Sequence, residues 1–197
     1  MKCNVVIMPA SPALVPDLAP QDLAGRALLA AVRALVAGAG AIELVGSRDG
    51  RWRTEHTGSF AAWGAPQVEV GAGNHLPELV QRYALGPELA GRVTDVRSVI
   101  GRVNPRSLTL IAVDGSAGMT PRAPLALLGS AGVTDQWCRA VLSGAPHDVP
   151  GQAELEEAGI LDAGLWRELA GVEKRDAALV EADTTLGVAR YVAGWVL

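Results

Sequence analysis

LTLIAVDGS, residues 108–116, holds six residues that are apolar on both faces and then turns polar at once at Asp114-Gly115-Ser116. A strand that is apolar on both faces belongs at the centre of a sheet covered by helices on either side. Two shorter runs repeat the theme. CNVVIM, from Cys3 to Met8, is a β-branched run stopped by Pro9, and AIELV, from Ala41 to Val45, is a second short strand. Between them Leu23, Ala27, Ala30, Ala31, Ala34 and Leu35 recur at three- and four-residue spacing. That spacing predicts a helix over residues 21–37, with Gly38 and Gly40 as its stop. Strand, helix and strand with short links form a βαβ unit, which crosses over right-handed.

The remaining chain extends this α/β pattern. Pro9 to Pro20 contains four prolines and reads as an ordered loop. Gly46 to Gly64 has no periodicity, yet Trp52, Phe60 and Trp63 are bulky enough to require something to pack on. Gln67 to Val70 suits a short edge strand. Asn74 suits the cap of a helix from Leu76 to Ala84, with Pro77 in its first turn. Residues 86–107 carry no clear pattern. Further helices are predicted over residues 134–142, 152–158 and 163–172, with Asp162 capping the last. Two strand-like runs, Ala178 to Ala182 and Val188 to Val196, flank a polar turn and read as a closing antiparallel hairpin. The expectation is one α/β domain over residues 1–197, a mixed central sheet flanked by helices.

Composition narrows the function classes. Apolar residues make up 49% with a single Phe, so the core is built from small aliphatic side chains that suit close helix–sheet packing. The net charge of −4 and the lack of a Lys/Arg stripe argue against a nucleic-acid partner. Arg48, Arg51 and Arg53 are the densest basic patch, but Asp49 and Glu55 interrupt it, as in a solvated loop with an anion site as the functional alternative. Cys3 and Cys138 read as small core residues and form no disulfide framework. The apolar run before Pro9 is too short for a signal peptide, and no run of about 18 apolar residues could span a membrane. A cytoplasmic protein with no membrane partner is expected.

Ligands in open α/β sheets sit beyond the carboxyl ends of the strands. The loops at Pro9 to Pro12, Gly46 to Asp49 and Asp114 to Ala117 leave such ends and should converge on one crevice. The candidate pocket residues are Ser11, Ser47, Asp49, His56, Ser59, Asp114 and Ser116, whose hydroxyl and carboxyl groups suit a polar small molecule. For metal chemistry only His56, His75 and His147 are available, none at helical i, i+4 spacing with another. His56 is the best placed as a ligand or base. Ser116 follows a buried strand as a nucleophile would, but Asp114 stands where the elbow motif requires Gly, and Pro121 and Pro124 break the helix that should follow. Gly71-Ala72-Gly73 holds two glycines of a nucleotide fingerprint without the third and reads as a tight turn. Glu154, Glu156 and Glu157 read as a solvated helix face.

Four segments together resemble a family. VVIMPASPALVPDLAP (5–20), HTGSFAAWG (56–64), LTLIAVDGSAGMTPRAP (108–124) and LGVARYVAGWVL (186–197) are similar, in order, to segments of the subunit-B-like class III extradiol ring-cleavage dioxygenases. The resemblance covers nearly the whole chain. It implies an α/β sandwich with a pocket at one sheet end, where active members hold Fe(II) or another divalent metal on histidines and a carboxylate. This chain departs from that pattern at the decisive positions. Ala10 stands where the first loop of the family carries histidine, and Ala117 where the central motif does. Alanine offers a metal no lone pair. Three readings follow. The first is a protein that keeps the pocket, needs no cofactor and binds a polar small molecule. The second is a metal-dependent dioxygenase or hydrolase-type enzyme using Fe(II) or Zn on a non-standard site of His56, Asp49 and Asp114. The third is a non-catalytic accessory subunit that forms a homo-oligomer through its last strand, with Tyr191 and Trp195 at the interface.

Overall fold

The computed structural model describes residues 3–197. A six-stranded mixed sheet runs through the molecule in the order β5-β2-β6-β1-β8-β7, comprising β1 (Val5–Met8), β2 (Ile42–Gly46), β5 (Val93–Arg97), β6 (Leu108–Ala112), β7 (Asp176–Asp183) and β8 (Arg190–Val196). LTLIA is the central strand the sequence predicts. β6 pairs in parallel with β1 on one side and β2 on the other, and its five residues are all buried. β5 joins β2 in parallel at one edge, whereas β8 runs antiparallel to β1, and β7 antiparallel to β8, at the other.

The two faces of the sheet bury different helices because strand side chains alternate. Val6, Met8, Leu44, Leu110 and Ala112 pack on α1 (Leu23–Val36) and α2 (Leu76–Ala90). Val5, Ile7, Ile111 and Val113 pack on α3 (Ala131–Ser143), α4 (Gln152–Glu157) and α5 (Ala163–Ala170). The helix predicted over residues 76–84 stops for a local reason. Gly86 adopts φ 71° and ψ 169°, outside helical space, and Pro87 starts a last turn in a new direction. A small ribbon, β3 (Ser59–Phe60) with β4 (Ala65–Glu69), lies in the long loop and sends Phe60, fully buried, between the rings of Trp63 and Tyr83.

Three expectations change. β5 falls within residues 86–107, where no strand pattern was legible, because VTDVR is an edge strand with a partly exposed, polar surface. The capping position before α2 is His75 rather than Asn74, whose Oδ1 instead meets His75 Nδ1 at 2.8 Å. Tyr191 and Trp195 are wholly buried under α3 and α5, so they present nothing to a partner. The Tyr191 hydroxyl donates to Asp135 (2.6 Å) and the Trp195 indole to the Leu142 carbonyl (2.8 Å). No helix among the described residues is long and apolar enough to cross a membrane.

Candidate functional site

Because β1 and β6 are parallel neighbours, their following loops leave the sheet side by side. The Ala10 amide donates to Asp114 Oδ1 across that junction at 3.1 Å. A cavity of about 280 Å³ opens there. The loop after β1 supplies Ala10, Ser11 and Pro12, and the loop after β6 supplies Asp114, Gly115, Ala117 and Pro124. The start of α2 adds Leu76 and Pro77. Trp52 comes from the long loop, Leu161 and Asp162 from the approach to α5, and Val188 from the approach to β8. Gly115 is required by close approach, since a Cβ there would lie 2.7 Å from the Tyr191 hydroxyl.

The wall is apolar apart from Ser11 and two carboxyl groups. Burial pushes the Asp114 carboxyl up from 3.8 to about 7, and neighbouring Asp162 adds to the rise. The Ala10 and Ser11 amides and the more distant Arg190 oppose it. Asp114 keeps an edge open to the cavity while protein encloses the rest of it. Burial also raises Asp162, against a hydrogen bond from Ser47 and the charge of Arg51. Arg190 is fully buried, but Asp22 and Asp183 occupy its guanidinium.

Of the residues singled out from the sequence, Ser11 and Asp114 line the cavity, and Ser47 reaches it only through Asp162. The others serve local structure. Asp49 is exposed, caps the turn at Gly50–Trp52 and pairs with Arg51 at 3.0 Å. His56 is exposed and contributes its backbone N–H to Thr54 Oγ1 (3.0 Å). Ser59 accepts the Ala61 amide at 3.1 Å. Ser116 is fully buried. Its hydroxyl donates to the Ala158 carbonyl at 2.6 Å and accepts the Gly118 amide at 3.1 Å, so it locks a loop and is no free nucleophile. Sequence reasoning missed Trp52, Leu76, Pro77, Leu161, Asp162 and Val188 as wall residues. Trp52 had a signal, a bulky ring in a polar loop. Asp162 was legible only as a helix cap.

The donor set does not fit the metal implied by the resemblance. An oxygen-activating iron site wants two imidazoles and a carboxylate, and no histidine lines this cavity. The ring nitrogens of His147 face the carbonyls of Ala145 (2.7 Å) and Ala170 (3.4 Å). His75 is buried, and its pKa is lowered by that burial and by Arg48. Among the described residues no group of three His, Cys, Asp or Glu side chains could hold a metal ion, so His56, Asp49 and Asp114 do not assemble a site.

A larger open cleft of about 650 Å³ lies away from the strand ends, between α1, α2 and the turn at Gly71. Its arginines are occupied, Arg33 by the Ala84 carbonyl and the Tyr83 ring and Arg82 by Glu78. The strand-end cavity is therefore the better site. No protein-family model matches the chain, and no curated protein does.

Proposed function

We propose that the chain is a small-molecule-binding protein on a class III extradiol dioxygenase-like scaffold, with the pocket kept and the iron site lost. One observation carries this reading. Ala10 and Ala117, the two positions where the resemblance expects imidazoles, both line the same cavity. Methyl groups there enlarge an apolar pocket instead of binding a cation. The apolar wall refines the expectation of a polar ligand, favouring a compact apolar body with one hydrogen-bonding head near Asp114 and Asp162.

The test restores the missing donors. The double variant Ala10→His/Ala117→His is expected to bind Co(II) with the visible spectrum of imidazole coordination, while the parent protein shows none. Stoichiometric iron or zinc in the purified parent protein, or oxygen uptake with catechols, would overturn the reading. So would a double variant that folds but stays colourless, because the two positions would then not converge as ligand sites.

Self-association is the second reading, moved to a different surface. Leu125 and Leu127 are 43% and 60% exposed in the same loop that brings Pro124 to the cavity, and Leu161 at its wall is 40% exposed. Light scattering that shows a monomer at every concentration removes it.

A further inference from the structure

Resting on the small-molecule reading above, we infer that the ligand is a monocation, a protonated amine carried on a compact apolar body, with its charge set against the carboxyl groups of Asp114 and Asp162. The cavity is small and mostly apolar, which suits a single ring or a short branched chain. Its only ionisable wall groups are acids. One face carries the indole of Trp52, an aromatic surface that attracts cations.

No cation lines the cavity, and those around it are engaged by acids. Arg190, the cation that lowers Asp114, is shared between Asp22 and Asp183, so that cluster carries a net charge of −1. Arg51, the cation that acts on Asp162, is paired with Asp49. Arg48, beside the start of α2, shares Glu78 with Arg82, a trio of net charge +1 that offsets the −1 of the Arg190 cluster. His75 at the same helix start is held towards its neutral form. An anionic head would meet two carboxyls and no cation in the wall, whereas an ammonium supplies the charge that these acids lack.

The site also couples binding to a proton. With Asp114 titrating near 7, the empty pocket is about half protonated at neutral pH. An ammonium head selects the ionised carboxylate and expels that proton to solvent. Its affinity should therefore rise with pH across this window, while a neutral ligand of the same shape gains nothing.

The test compares benzylammonium, benzyl alcohol and benzoate by ligand-observed NMR on the full chain. The ammonium is expected to bind at least about tenfold tighter than the alcohol at about pH 8. That advantage should fall by about tenfold or more on acidification to about pH 5. Asp114→Asn and, separately, Asp162→Asn should each shrink the advantage without removing alcohol binding. If the alcohol or the carboxylate binds as well as the ammonium, the monocation inference fails and the pocket reading stands. If none of the three binds, the pocket reading itself fails.

Discussion

At the scale of single residues, a hydroxyl is defined by what it touches. Ser116 stands after a buried strand, where a nucleophile would, but its oxygen is committed to Ala158 and Gly118. Thr109, on the same strand, is the opposite case. It is fully buried and its Oγ1 has no hydrogen-bond partner. A buried hydroxyl without a partner costs free energy that a methyl group of the same shape does not. Thr109→Val keeps the β-branch and removes the desolvated oxygen. It is expected to stabilise the protein by about 1 kcal/mol, read as a higher urea midpoint with an unchanged slope. A lower midpoint would mean that the hydroxyl is satisfied in solution.

At the scale of elements, one guanidinium joins three of them. Arg190 opens β8 and is fully buried. It binds Asp183 at the end of β7 and Asp22, the residue that caps α1 by accepting the Gly25 amide at 2.9 Å. Burial works against the Asp22 carboxylate, but the hydrogen bonds from Arg190 and Gly25 outweigh it and hold its pKa below the usual value. Arg190→Met leaves two enclosed carboxylates facing each other. The expected loss is about 3–5 kcal/mol in chemical denaturation. Adding Asp22→Asn should recover part of that loss, since it removes one of the stranded charges. Arg190→Lys should not restore stability fully, because an ammonium cannot reproduce the planar fork that spans both acids. A near-neutral Arg190→Met would show that the network contributes little to holding α1 on the sheet.

For the molecule as a whole, these two kinds of acid pull stability in opposite directions with pH. Asp114 has a folded pKa of about 7 against an ordinary 3.8. Between about pH 4 and pH 7 the folded chain holds a proton that the unfolded chain has released, so stability falls as pH rises through that window. Asp22 has a lowered folded pKa, so its contribution is present above the ordinary carboxylate range and is lost as pH falls below it. From these two acids the profile of denaturation midpoint against pH should therefore peak at the low end of that window, near about pH 4. Asp114→Asn should make its falling limb shallower, leaving the part that Asp162 contributes, and leave the acid limb in place. A limb as steep in Asp114→Asn as in the parent would show that Asp114 is ionised throughout, and would remove the proton-coupled part of the amine inference.

The α/β class, the central strand, the first βαβ unit and the strand-end position of the crevice were legible because they rest on local patterns. LTLIAV can be buried on both faces only inside a covered sheet, and chain order then places the loops of β1 and β6 together. The edge strand β5 was not legible, because its half-exposed VTDVR lacks the apolar alternation that marks a strand. Nor could sequence choose among similar polar side chains. Ser11 and Ser116 follow two parallel strands in similar loops, yet one lines the cavity and the other is locked beneath it. Asp49 and Asp162 differ in the same way, one spent on Arg51 in solvent and the other half-buried in the wall. Direction, burial and partnership arise from contacts between residues far apart in the chain, so the character of the pocket, apolar with two acids and no imidazole, was decided only by tertiary packing.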